Sequence, residues 1–154
     1  VHDDAVLFEM LVLETFQAGL SWECILNKTD AFRRAFDNFD INAVCDYDAK
    51  KISELSNNAG IIRNGRKICA AITNARVFRE IQREYDTFDK YLWQWTHGHT
   101  IYEYGITRSK LSDKISDDLR RRGMRFVGTT TIYAYLQAVG IINAHEPGCF
   151  LYQN

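Results

Sequence analysis

Leu55-Ser56-Asn57-Asn58-Ala59-Gly60-Ile61-Ile62-Arg63-Asn64-Gly65-Arg66-Lys67-Ile68 is a polar, glycine-marked break with helical patterns on both sides. Downstream, from Arg66 to Tyr85, Ile68, Ile72, Ala75, Phe78 and Ile81 recur at the spacing of one helix face. Upstream, Asp48 is placed to cap a helix over Ala49 to Ser56, and Asp40 another over Ile41 to Cys45. A tight turn at Gly60 between two helices frees backbone amides, and the second helix is entered through Arg63, Arg66 and Lys67. Such a turn suits a phosphate group, with the basic side chains adding point charges. The same pattern also fits an ordinary αα-hairpin with solvated arginines and lysines. Lys67 alone could also serve as a Schiff-base nucleophile, although a phosphate contact is the better fit.

The remaining elements read outward from this break. Apolar residues recur at helical spacing from Ala5 to Phe16, with Asp3 or Asp4 as the cap. After Ala18-Gly19, Ser21 caps a short helix carrying Trp22, Ile25 and Leu26, and Thr29-Asp30 restarts the chain into Ala31 to Phe36. Thr87 or Asp89 caps a helix bearing Tyr91, Leu92, Trp93 and Trp95, and His97 to Arg108 reads as a long loop. Ser109 to Arg122 is amphipathic and stops at Gly123; a last helix runs from about Thr129 to about Ile142. No alternating run of five or more residues suggests a strand, so the expected fold class is all-α, a compact orthogonal bundle forming one domain over residues 1–154.

Composition narrows the function. With 46% hydrophobic and 25% charged residues the chain can bury a real core, and a net charge of −1 gives no bulk attraction to nucleic acid. Any DNA contact must therefore rest on a local basic face. The cysteines at 24, 45, 69 and 149 form no close pair, which points to a reducing compartment, and no stretch is long and apolar enough to span a bilayer. The chain opens on Val1-His2-Asp3-Asp4, a start that suggests trimming. Motifs for a serine hydrolase, a zinc protease, a P-loop or a dinucleotide fold are absent.

Two further clusters carry possible chemistry. Glu14-Thr15-Phe16-Gln17-Ala18-Gly19-Leu20-Ser21-Trp22 follows the apolar run Leu7 to Leu13, and a carboxylate at the end of so apolar a helix is costly to bury without a partner. Beside a turn, an acid and an indole would suit a flat, electron-poor heterocycle that the ring stacks on and the acid hydrogen-bonds. The plainer alternative is a solvated Glu14 and a core Trp22. In the tail, His145 and Cys149 form an H-x-x-x-C pair, half of the four ligands that a structural zinc needs, and His2 could in principle add to it.

Taken together, these pieces resemble the bacterial DNA-3-methyladenine glycosylases of the constitutive type, within the helix-hairpin-helix superfamily. The resemblance runs along essentially the whole chain. It is carried by Leu7-Phe8-Glu9-Met10, Leu13-Glu14, Gln17-Ala18-Gly19-Leu20-Ser21-Trp22, Ala59-Gly60-Ile61-Ile62-Arg63 with Lys67-Ile68, Asn74-Ala75, Arg122-Gly123, Phe126-Val127-Gly128-Thr129-Thr130, Gln137-Ala138 and the His145/Cys149 pair. It implies a helix-hairpin-helix element within the all-α fold, and excision of 3-methyladenine from alkylated double-stranded DNA in base excision repair. The N-glycosidic bond would be hydrolysed after the nucleotide is flipped out.

By the same resemblance Glu14 reads the base and is the catalytic candidate, Trp22 stacks on it, and Leu20 fills the gap in the duplex. Gly60, Arg63 and Lys67 of the hairpin hold the backbone. No lysine is evidently placed as a nucleophile, so no strand-cleaving lyase activity is expected. The resemblance further implies one structural zinc per chain on His145, Cys149 and two ligands from an N-terminal segment that this sequence lacks, together with a monomer in the bacterial cytoplasm and no membrane partner. The competing readings are a non-catalytic helix-hairpin-helix DNA-binding module and a helical bundle with an unrelated partner.

Overall fold

Asp3 starts the first helix: in the computed structural model, which describes residues 1–17 and 27–143, its carboxylate accepts the Ala5 amide at 2.8 Å. Helix α1 (Asp4–Gln17) follows and buries Leu7, Phe8, Leu11, Val12, Glu14, Thr15 and Phe16. Asp4 also reaches across the fold. Its carboxylate accepts the amides of Phe88 and Asp89, each at 2.9 Å, and so caps a helix more than eighty residues away.

After α2 (Thr29–Ala35) and a single 3-10 turn (Asp37–Phe39) come α3 (Ile41–Cys45) and α4 (Ala49–Ser56). Asp40 and Asp48 cap the last two through the Ala43 and Lys51 amides, as their positions suggest. The long helix α5 (Gly65–Tyr85) is the axis of the bundle. Its buried face includes Ile68, Ile72, Ala75, Phe78 and Ile81, and α1, α3, α4 and α6 (Phe88–Gln94) all pack on it. Phe78 stacks on Phe88 with ring centroids 4.0 Å apart and meets Phe8 edge-on at 5.3 Å, which joins α5, α6 and α1 in one aromatic core.

Helix α7 (Lys110–Arg121) begins in a capping box between Ser109 and Ser112 and ends at Gly123, whose φ of +107° is the left-handed stop expected there. Arg122 then ties it down. Its guanidinium donates to Glu84 at 2.6 Å and to Asp118 at 2.9 Å while lying over the rings of Tyr85 and Tyr91. Helix α8 (Thr129–Ala138) packs on α7 and α1, and the Tyr135 hydroxyl donates to the Leu7 carbonyl at 2.8 Å in the fully buried centre.

Two details differ from the sequence reading. The last helix ends at Ala138 and does not reach Ile142, because Gly140 takes φ +90° and turns the chain out. Ile142–Asn143 then pairs in parallel with Ile101–Tyr102, inside the expected loop, as a two-residue ladder. The short helix expected after Ser21 lies outside the described residues. Among the described residues, no helix is long and apolar enough to cross a membrane.

Candidate functional site

Leu7, Leu11 and Glu14 occupy successive turns of one face of α1, so the helical repeat that buries the leucines also buries the carboxylate. Glu14 is 1% exposed, and neither of its oxygens has a hydrogen-bond partner among the described residues. Loss of hydration pushes its pKa up from 4.5 to about 7. A buried acid in this state is balanced between its two protonation forms near neutrality. A cationic or hydrogen-bond-donating ligand would convert that cost into binding.

Lys67 lies near the same end of α1. It is only 8% exposed, and its ammonium donates to the Phe16 carbonyl at 3.1 Å, close to the C-terminus of α1. Burial lowers its pKa. This placement differs from the surface phosphate contact expected of it. Lys67, Ala71, Asn74, Phe78 and Ile81 follow the i, i+4, i+7, i+11, i+14 stripe of the buried face, so the helix itself directs the side chain inward.

The turn before α5 is held by its own side chains. The Gly60 amide donates to the Asn58 side chain at 2.8 Å, and Asn64 caps α5 through the amides of Arg66 and Lys67. A Cβ at Gly60 would lie 3.1 Å from both the Ala31 Cβ and the Asn58 Oδ1, so close approach to α2, not unusual backbone, favours glycine here. Arg63 and Arg66 are exposed on the outside of the turn. Among the described residues neither makes an ion pair, whereas most of the other exposed arginines of α2 and α7 are paired with acids.

The structure therefore brings Glu14 and Lys67 to one end of α1 and puts Gly60 and Arg63 on the turn beside it. Leu20, Trp22, His145 and Cys149 lie outside the described residues. Of the remaining histidines, His2 is engaged elsewhere, with Nδ1 at 2.7 Å from Asp89 and its ring stacked on Trp93. No group of three or more metal-ligating side chains occurs among the described residues.

Sequence reasoning missed the role of Asn74. This residue is 1% exposed; its side chain donates to the Arg125 carbonyl at 2.9 Å and accepts the Arg125 amide at 2.8 Å. A lone amide on an apolar helix stripe was the available signal, since such a group must find partners when buried.

The fold and site together define a mostly helical protein that buries, among the described residues, an acid without a hydrogen-bond partner and carries a basic turn before its longest helix. The chain belongs to the methyladenine glycosylase family, whose model matches residues 1–152. It is 38% identical over 156 residues to DNA-3-methyladenine glycosylase 1 of Escherichia coli, covering 97% of this chain and 83% of that protein. It is 31% identical over 153 residues to the DNA-3-methyladenine glycosylase of Haemophilus influenzae, covering 96% of this chain and 83% of that protein. Among solved structures, a variant of 3-methyladenine DNA glycosylase I in complex with 3-methyladenine superposes with a TM-score of 0.95 at 31% identity, covering all of this chain and 86% of the other.

Proposed function

We infer that this chain is a DNA-3-methyladenine glycosylase, a monofunctional enzyme of base excision repair that hydrolyses the N-glycosidic bond of 3-methyladenine in duplex DNA. The observation that carries this reading is Glu14, a carboxylate buried without a partner at the end of an apolar helix. Methylation at N3 leaves the purine nucleotide positively charged, so the base departs readily and the enzyme's task is to extrude, select and shield it. Glu14 supplies the selection. An alkylated base brings the positive charge that the buried carboxylate lacks, whereas neutral adenine leaves that carboxylate uncompensated. As the bond breaks, the ionised carboxylate also stands near the oxocarbenium-like sugar and favours its formation before water adds.

Trp22 provides the stacking surface for the flipped base and Leu20 fills the space it leaves. Gly60 and Arg63, on a helix-hairpin-helix element, hold the phosphate backbone, with Lys67 fixing the end of α1 from inside. A structural zinc on His145 and Cys149 belongs to the same reading, which places the enzyme in the bacterial cytoplasm as a monomer; metal analysis of the purified protein checks the first point and sedimentation the last. A non-catalytic DNA-binding module would have use for the hairpin but none for an unpaired acid in the interior.

The direct experiment is chromatographic detection of free base released from alkylated duplex DNA. We expect 3-methyladenine release by the wild type and a loss of about 5- to 150-fold in Trp22→Ala, the range for one stacked base. Release of no methylated base by the intact protein would remove the assignment.

A further inference from the structure

We propose that the groove between the start of α5 and the Arg125–Phe126 turn is a second DNA-backbone site, taking a phosphate between Arg66 and Arg125 and a deoxyribose against the Phe126 ring. This rests on the reading of the chain as a DNA glycosylase, and it adds an interaction surface to the hairpin. The groove has a volume of about 570 Å³ and is lined by Ile52, Gly65, Arg66, Cys69, Arg125 and Phe126. Its lining therefore carries two guanidinium groups and no acid. Neither arginine makes an ion pair among the described residues.

Two other hollows among the described residues include acids in their lining. One is lined by Trp95, Lys114, Asp117, Arg120 and Arg121, but Asp117 pairs with Arg120 at 3.0 Å and Asp118 with Arg121 at 3.3 Å. Another presents Asp37 and Asp40. Of the three, the groove beside the hairpin is the one whose lining cations face no acid, which suits a polyanion.

Phe126 is displayed there at a cost to the fold. Its φ of +57° is in the left-handed region, which a bulky residue rarely adopts, and the residue keeps 36% of its surface exposed. Clamps on both sides hold it in place. Asn74 binds the Arg125 backbone through two hydrogen bonds, and the Ser116 hydroxyl donates to the Val127 carbonyl at 2.6 Å from a fully buried position. Arg125 and Phe126 thus project from a fixed backbone, which limits the ordering cost when a partner binds. Arg63 and Arg66 are both exposed and flank the Asn64 cap, which sets the groove next to the hairpin.

Cys69 lies exposed in the groove and reports on its coverage without any substitution. Maleimide modification of Cys69 is followed by peptide mass in the full chain, with and without an undamaged duplex whose binding is measured by anisotropy. With duplex at about ten times its Kd, mass action makes modification about tenfold slower if DNA covers the groove. In salt titrations Arg125→Ala lowers the slope of log affinity against log salt by about one phosphate contact, as Arg63→Ala does at the hairpin, and Arg121→Ala does not. Phe126→Gly, which relieves the backbone, weakens binding about fivefold with the slope unchanged. An unprotected Cys69 under saturating duplex overturns the proposal. So does a wild-type slope in Arg125→Ala alongside a reduced one in Arg63→Ala, a result that leaves the hairpin reading standing. If neither arginine alters the slope, both fall.

Discussion

Glu14 makes the protein's stability and activity depend on pH in opposite directions. The folded state keeps the Glu14 proton up to about pH 7, whereas an exposed carboxylate releases it near 4.5. Between these values the folded state binds more protons than the unfolded one, so stability falls as pH rises, by about 3 kcal/mol in all from this group. Glu14→Gln removes that dependence and should therefore raise stability at pH 8 by about 2–3 kcal/mol, measured by urea unfolding. A destabilised Gln variant at pH 8 would mean that Glu14 has a partner in the free protein. Activity runs the other way. If the ionised form reads the cationic base, kcat/KM falls as pH drops through about 7.

Lys67 gives a second test at this scale. Lys67→Met, which keeps the length and removes the charge, should cost about 1–3 kcal/mol by leaving the Phe16 carbonyl short of a donor. The salt dependence of DNA binding should stay as in the wild type. Reduced salt dependence would return Lys67 to the phosphate surface. The burial of Glu14 was only half legible in the sequence: the apolar run before it suggests a costly buried acid, but a solvated Glu14 read as well, and only the fold shows it on the face of Leu7 and Leu11. Lys67 was equally periodic with Asn74 and Phe78, but a lysine next to Arg66 at a glycine-rich turn also reads as surface. Only the packing of α1 against α5 decides between the two.

At the scale of elements, the hairpin is set by contacts more than by backbone strain. Gly60→Ala should lower thermal stability by about 1 kcal/mol or more, because its Cβ meets that of Ala31, which moves only with the α2 backbone. It should also weaken DNA binding by displacing the turn. Unchanged stability would show that α2 can yield. Helix boundaries were the most legible feature of the chain. Asp40, Asp48 and Gly123 act at the positions read for them, Thr87 is the cap of the two candidates with Asp89, and Ser109, read as the start of its helix, is the cap, since capping is a relation among residues a few places apart. The Ile101–Tyr102 ladder was not legible, because it joins segments forty residues apart through two pairs and leaves no periodic pattern. The Asn74 clamp on Arg125 was hidden for the same reason.

Across the whole molecule, charge is arranged and not accumulated. Among the described residues, a chain of net charge −1 leaves Arg63, Arg66 and Arg125 without an ion pair near the hairpin, as it does Arg34, Arg76, Arg79 and Arg83 elsewhere, while pairing Arg33, Arg108, Arg120, Arg121 and Arg122 with acids. This local field suits search along DNA without general attraction to polyanions. Behind it, the long α5 connects the two parts of the task, since its first turn bears Arg66 outward and Lys67 inward toward the end of α1.

The central claim is that the unpaired acid at that end reads the alkylated base. Single-turnover release of 3-methyladenine from duplex DNA at pH 7.5, comparing the wild type with Glu14→Gln, tests it most directly. We predict a rate lower by about a hundredfold or more in the variant, the loss typical of removing one preorganised charged group, with duplex affinity retained. A Gln variant that releases the base at the wild-type rate would contradict the account.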